Sequence, residues 1–451
     1  MKFVLDNVGA IKHATLQLAP LTIVCGKNNS GKTYLTTAIS EFLAGLRGAC
    51  RVESMETVSG EEERASIDLI RYVDPIRQKV KAVEESFKTR NDILHGGTLS
   101  VELDDADIRV DRPAIPSTWT SNTSKHSYSV VKTGSVLEIS RRIEMKAGDA
   151  QDVEDCRKQW GMACDVIVNA YLFRQKYGCC LPGDVVSVGS ERMGVVYFKD
   201  ALDIAMRRKV QTDDSSAIGE GHLIDSEQPE GRAESMFPKA IVRTLDFISW
   251  LGMRKKTGAL RPAEFGTELQ SDLEKLTEGS YSVEDQGMVF SPEGTHGLIL
   301  NAKDASSSVR SLFLLDQYVR YAAERGDVLF IDEPETNLHP QKQRQLARFV
   351  AKLVNKGINV FVTTHSDYFI REINVLLMLA EDDARLRSIA DRYEYAQDEL
   401  LRVEKVRPYR VEGGELHDMP MSQECGIEVS AFDDVIRDLN HIQNEILHGA
   451  S

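Results

Sequence analysis

Long apolar runs are missing from this 451-residue chain. Nowhere do about 18 consecutive apolar residues occur, the length a membrane-spanning helix requires. The opening residues also lack the basic-then-apolar layout of a secretory signal, so the expected setting is cytoplasmic, with no membrane contact. Cysteine is sparse and unpatterned: the seven (Cys25, Cys50, Cys156, Cys164, Cys179, Cys180, Cys425) are odd in number and form no CxxC. That excludes a disulfide scaffold and fits reduced thiols; the adjacent Cys179 and Cys180 read as small buried hydrophobes. Basic charge is short as well. With 55 Lys and Arg against 70 Asp and Glu, the formal net charge is −15, so any nucleic-acid contact must be local and not through a strongly basic surface. What is present is 42% hydrophobic and 28% charged residues, ordinary globular usage. At roughly 150 residues per domain, the chain has room for two or three domains.

Phe3–Leu5 and Ile11–Leu18 alternate apolar and polar residues like a half-exposed hairpin, and Leu21–Cys25 is a buried-strand run. From Thr33 the apolar residues Leu35, Ile39, Phe42, Leu43 and Leu46 recur at helical spacing, giving strand, loop and helix, half a βαβ unit. An acidic loop is expected over Val52–Glu63. Leu69, Val73, Ile76, Val80, Val83 and Phe87 then form a seam at alternating four and three spacing. Asp74-Pro75 reads as an N-cap followed by a first helical proline, leaving either two short helices or one rod; a helix packed on its own domain is preferred to a dimerising coiled coil. Leu99–Leu103, Ser127–Lys132 and Val136–Ile143 alternate like a small antiparallel meander, and Cys164–Tyr177 returns to helix. Val185–Phe198 reads as strand, Thr212–Glu230 as a polar loop and Lys239–Leu251 as helix. From His296 strands and helices alternate: Gly297–Asn301, Val309–Ala323, Val328–Ile331, Pro340–Asn355, Ile358–Thr363 and Asp367–Leu379. Such alternation argues a parallel sheet, with one further strand in Glu399–Val411 and a final amphipathic helix over Ala431–Leu447.

Three stations carry chemistry. Gly26-Lys27-Asn28-Asn29-Ser30-Gly31-Lys32-Thr33 matches GxxxxGK[ST] between a strand and a helix, the context that makes the pattern a phosphate-binding loop. The glycines let backbone amides of Gly26, Asn29, Ser30 and Gly31 converge on phosphate at a helix N-terminus; Lys32 offers a point charge and the Thr33 hydroxyl a magnesium ligand. Val328–Ile331 is a buried strand ending in Asp332 and Glu333: the first acid is placed to hold Mg2+, the second to act as general base on water. Adjacent acids after a strand are ordinarily a solvated turn, but a phosphate loop in the same chain argues for the functional reading. Ile358–Thr364 ends in His365, and a histidine at the carboxyl end of an α/β strand faces the crevice where ligands bind, here toward the γ-phosphate and the attacking water.

The combination of GKNNSGKT, IDEPETNLHP and TTHSDYF resembles the ABC-type ATPase head of the SMC-like and OLD-like branch of bacterial ATPases. The resemblance implies an α/β fold, a P-loop head with a mostly parallel sheet and an inserted α+β region. It divides the chain into 1–48 and 296–380 as the two parts of the head, 49–182 as the insertion, 183–295 as a linking lobe and 381–451 as a strand-and-helix tail. It further implies ATP hydrolysis to ADP and phosphate with ATP and Mg2+, and a homodimer or higher homo-oligomer closed head to head. In that arrangement Ser306, Ser307 and Ser308, which depart from the usual LSGGQ, reach the partner's γ-phosphate, and Asn337 belongs to a loop along the dimer seam. Ser190-Glu191-Arg192, Phe237-Pro238-Lys239 and Phe432–Ile436 are similar to compact ATPases of bacterial anti-phage operons, including the Septu and retron-associated ATPases, which work beside a separately encoded nuclease. No DxD pair follows Ser366, so no intrinsic nuclease is expected. The reading is an ATP-driven switch that controls an effector protein, a nuclease. The alternative is an SMC-like DNA-repair or DNA-end-processing ATPase, supported by Arg254-Lys255-Lys256 with Arg261. The Q-loop glutamine is not identifiable, and Phe3 reads as a core residue before an adenine-stacking one.

Overall fold

The computed structural model describes residues 1–46, 62–103, 118–122, 126–143, 160, 164, 185–190, 192, 194, 239–256, 263, 265–284, 287–295, 297–301, 304–428 and 441–446. Residues 52–61 of the expected acidic loop, the helix expected over 165–177, the polar stretch 212–230, Cys179, Cys180, Arg261 and residues 432–436 lie outside them.

In chain order the strands are β1 (Lys2–Val8), β2 (Ile11–Gln17), β3 (Leu21–Gly26), β4 (Glu62–Asp68), β5 (Thr98–Glu102), β6 (Thr118–Asn122), β7 (His126–Thr133), β8 (Val136–Ile143), β9 (Val185–Val188), β10 (Gly279–Glu284), β11 (Gly287–Pro292), β12 (Leu300–Asn301), β13 (Val328–Asp332), β14 (Asn359–Thr364), β15 (Val406–Glu412) and β16 (Glu415–Asp418). The main helices are α1 (Lys32–Gly45), α2 (Val73–Phe87), α3 (Lys239–Lys256), α4 (Gly266–Thr277), α5 (Ser307–Tyr321), α6 (Pro340–Asn355) and α7 (Asp367–Met378).

A nine-stranded sheet in the order β5-β1-β2-β16-β15-β3-β14-β13-β9 organises the molecule. From β15 to β9 every neighbouring pair is parallel, the β2–β16 contact is also parallel, and β1 runs antiparallel to both of its neighbours, β5 and β2. The fold is therefore the expected α/β architecture with a mostly parallel sheet. Strands covered on both faces read as continuous apolar runs: β13 is buried along its whole length and β3 over its first five residues. Alternate residues of those strands enter different cores. Leu329 and Ile331 join Ile23, Val360 and Val362 against α4 to α7, whereas Val328 and Phe330 join Val24 and Phe361 against α1, α2 and the β1–β2 hairpin.

Several segments fall elsewhere than expected. β5 pairs with β1, Leu99 opposite Leu5, and so belongs to the large sheet; the small antiparallel sheet is instead β4-β8-β7-β6. Glu62 and Glu63 open β4, where the acidic loop was expected to continue. The short β12 pairs antiparallel with β11 and takes no part in the parallel sheet. The strand expected over Val185–Phe198 stops at Val188, because the chain turns there: Arg192 N donates to Gly189 O at 3.3 Å. The seam from Leu69 begins as a 3-10 turn capped by Asp68, which accepts from Ile70 N at 3.1 Å, so Asp68 caps and Asp74 does not. Pro75 sits in the first turn of α2, where a missing N–H costs no helical bond. Ile76, Val80, Val83 and Phe87 are buried in the core that holds Leu35, Ile39 and Phe42; α2 packs on its own domain. The tail strand is central: β15 lies parallel beside β3, and β16 follows it as a hairpin.

Candidate functional site

The parallel register places Cys25 beside Thr364 and Thr363 beside Asp332. The carboxyl ends of β3, β14 and β13 are thus level, and each runs directly into one of the three motifs. This is the edge at which open α/β sheets bind ligands.

Gly31 has φ 106°, and a Cβ there would meet Ile11 Cδ1 at 2.7 Å, so the position needs glycine. Asn29 is left-handed at φ 60°, a conformation asparagine tolerates better than most. A Cβ on Gly26 would lie 2.9 Å from Val411 O of β15, so the central tail strand closes one side of the loop. Lys32 is buried, and its Nζ donates to Gly26 O at 3.1 Å and Lys27 O at 2.9 Å. Burial lowers its pKa, opposed chiefly by the charges of Glu333 and Asp332. Burial also pushes the Cys25 thiol up to about 12, which leaves it an inert core group.

Asp332 bridges two elements: Thr33 Oγ1 donates to its Oδ2 at 3.2 Å and Thr363 Oγ1 donates to its Oδ1. Glu333 is left-handed at φ 48°, which costs a residue with a Cβ about 1–2 kcal/mol. Its N–H donates to Thr363 O at 3.0 Å, and its Oε1 lies 3.0 Å from His365 Nε2. A third acid completes the group. Glu335 Oε1 accepts from Thr364 Oγ1 at 2.9 Å and from His365 N at 2.6 Å, while its Oε2 is enclosed with no hydrogen-bond partner. Burial raises the Glu335 pKa above the usual carboxylate range, with its bonds to His365, its own backbone and Thr364 pulling the other way.

Phosphate loop, Asp332, Glu333 and His365 are therefore together, while the side-chain hydrogen bonds of Ser306 and Ser308 stay at the start of their own helix. Ser306 caps α5, accepting from Val309 N at 3.3 Å, and its Oγ meets Ser308 Oγ at 2.9 Å. Ser307 is half-buried in the same turn. Asn337 is exposed and left-handed at φ 65°, on the turn between β13 and α6. Phe3 is fully buried, edge-on to Phe42 with ring centroids 5.7 Å apart, and so is a core residue. Arg254-Lys255-Lys256 end α3. Sequence reading missed Glu335, Thr363 and Thr364, although each stands inside a motif it had singled out.

The residues fit a magnesium nucleotide. Thr33 and Asp332 offer the hard oxygen donors that magnesium prefers, and magnesium commonly takes only one or two protein ligands alongside substrate phosphates. Among the described residues no group of three or more His, Cys, Asp or Glu is placed to hold a metal ion. Ser30 Oγ is buried in the loop without a hydrogen-bond partner, a group that a phosphate oxygen satisfies.

A protein-family model described as an AAA ATPase domain matches residues 214–370, about a third of the chain, which includes Ser306–Ser308, Asp332, Glu333 and His365. Solved structures similar to the chain include an SMC head domain from Thermotoga maritima, at 10% identity and TM-score 0.30 over 93% of this chain and 98% of that one. Another is an SMC head bound to the C-terminal winged-helix domain of ScpA, at 12% identity and TM-score 0.34 over 93% and 97%. A third is an SMC head with an extended coiled coil bound to the C-terminal domain of ScpA, derived from Pyrococcus furiosus, at 11% identity and TM-score 0.31 over 98% of each. No curated protein matches the chain. The fold is that of a P-loop ATPase, and the family model matches the part of the chain that carries Asp332, Glu333 and His365. Among the described residues no helix is long and apolar enough to cross a membrane.

Lys32→Ala is expected to remove ATP binding in calorimetry while leaving the melting temperature near that of the parent. Glu333→Gln is expected to bind ATP and to hydrolyse it at least about a hundredfold more slowly, the scale of a general base; near-normal turnover would move that role to another residue.

Glu335 supplies a pH dependence. Because its folded pKa is raised, the folded chain keeps this proton at pH values where the unfolded chain has released it. The group's favourable contribution is therefore full in acid and is lost as pH rises from the ordinary carboxylate range through the raised value. Glu335→Gln never ionises, so its melting temperature should exceed that of the parent at about pH 7.5 and converge with it near about pH 4. An offset that stays constant across that range would contradict the assignment.

Proposed function

We propose that the chain is an ATP-hydrolysing switch subunit that works as a head-to-head homodimer in the bacterial cytoplasm and governs a separately encoded effector, a nuclease, in anti-phage defence. The observation that carries the reading is the division of the site. One chain gathers the phosphate loop, Asp332, Glu333 and His365, whereas the hydrogen bonds of Ser306 and Ser308 stay around their own helix start, with Ser306 exposed. A helix N-terminus bearing three hydroxyls is an anion-binding group, and the site it would complete is a partner's.

Within one head, Lys32 and the loop amides hold the phosphates. Thr33 and Asp332 would ligate magnesium, which neutralises charge on the phosphate oxygens. Glu333 accepts the proton of the attacking water, and His365, bonded to Glu333 Oε1, fixes the direction of that carboxylate and faces the terminal phosphate. The inserted region 49–182 is where closure would be read by the effector. Resemblance to the compact ATPases of anti-phage operons, which work beside a separately encoded nuclease, supports both the defence setting and an effector on another chain.

The division predicts complementation. Ser308→Arg spoils the half of the site given to the partner, and Lys32→Ala spoils the half kept in the chain. A mixture should regain ATPase activity from one intact composite site per heterodimer, while each variant alone is inactive. A mixture that stays inactive although heterodimers form in pull-down would contradict the head-to-head arrangement.

A further inference from the structure

Arg192 lies behind the catalytic acids and belongs to none of the three stations. Its side chain is buried at 2% exposure, and its guanidinium donates to carbonyls from three parts of the fold. Nε donates to Ser311 O of α5 at 2.9 Å, Nη1 to Gly189 O at 3.1 Å and to Asp332 O at 2.9 Å, and Nη2 to Glu333 O at 2.9 Å. A guanidinium has five N–H groups in a rigid planar fork, and these four contacts use most of it.

The acceptors define what the fork does. The Glu333 N–H is held by Thr363 O at 3.0 Å and its carbonyl by Arg192 at 2.9 Å, so both peptide planes around Glu333 are fixed. Those planes keep a left-handed residue, φ 48°, in a conformation it would otherwise leave, and they set the line along which its side chain meets His365. The same fork also grips Ser311, one turn into the helix that starts with Ser306, Ser307 and Ser308.

We propose that Arg192 is a positioning residue that ties the serine helix to the general base of its own chain, so that contact of that helix with a partner's nucleotide is felt as a change in the placement of Glu333. The coupling half of this inference rests on the dimer reading above; the positioning half does not. Lysine carries its donors on a single atom with no fork, and cannot span Ser311, Asp332 and Glu333 together.

The test uses the full chain with Arg192→Lys and Arg192→Gln, measured for ATP affinity, melting temperature and the dependence of turnover on ATP concentration. For both variants kcat should fall at least about tenfold while ATP affinity stays within about threefold, since misplacing a reacting group by an ångström costs turnover and not binding. The parent should respond to ATP cooperatively, and the variants' Hill coefficient should drop toward one. Turnover and affinity that fall together with a lowered melting temperature would assign Arg192 to folding alone and overturn the proposal. Unchanged kcat in Arg192→Lys would overturn it as well. Lost turnover with cooperativity intact would overturn the link to the serine helix. A hyperbolic parent would remove that link together with the dimer reading, and the split between kcat and affinity would still decide the positioning of Glu333.

Discussion

Asp332 ends a fully buried strand, and its carboxylate accepts from two threonines, Thr33 at the start of the phosphate-loop helix and Thr363 on the neighbouring strand. A carboxylate this enclosed is costly unless its oxygens are bonded, so the contact forms only if β13, β14 and β3 end level. Their parallel register provides that. A slip of one residue would turn Asp332 to the opposite face and put Phe330 and Ile331 into each other's cores. The apolar alternation of these strands, which feeds two separate cores, is therefore what holds the chemistry in place.

The charge pattern follows from the same crowding. Three acids, Asp332, Glu333 and Glu335, gather around one buried lysine, and the structure settles each differently. Asp332 is satisfied by hydroxyls, Glu333 by His365, and Glu335 by a hydroxyl and a backbone amide, with one oxygen left enclosed. Lys32 Nζ donates to carbonyls of its own loop, and the same N–H donors are those a phosphate group would draw toward itself. Such local compromise of stability is expected where a site is arranged for a ligand.

Much of this was legible in the sequence. GKNNSGKT, IDEP and TTHS each follow an apolar run of buried-strand length, and the three runs are the three adjacent strands. Glu335 and Thr363 were overlooked because their roles depend on register, which pattern alone does not supply. Arg192 was visible only as part of a resemblance, since nothing local says that a single arginine after a four-residue strand is buried against the ends of two other elements. β5 was misassigned to the meander because alternation gives a strand's faces and not its neighbour; its partner, β1, lies about 90 residues upstream. The heptad seam shows the opposite case: its period is plain in the sequence, and its burial against α1 is a matter of tertiary packing.

In the proposed switch, two of these heads close over ATP. Multi-angle light scattering of Glu333→Gln, in magnesium with ATP and separately with ADP, tests it most directly, because this variant should hold the nucleotide without consuming it. Closure gives the mass of one chain with ADP and of two with ATP, the shift being abolished by Ser308→Arg. A Glu333→Gln chain that binds ATP and keeps the same mass in both nucleotides would contradict it.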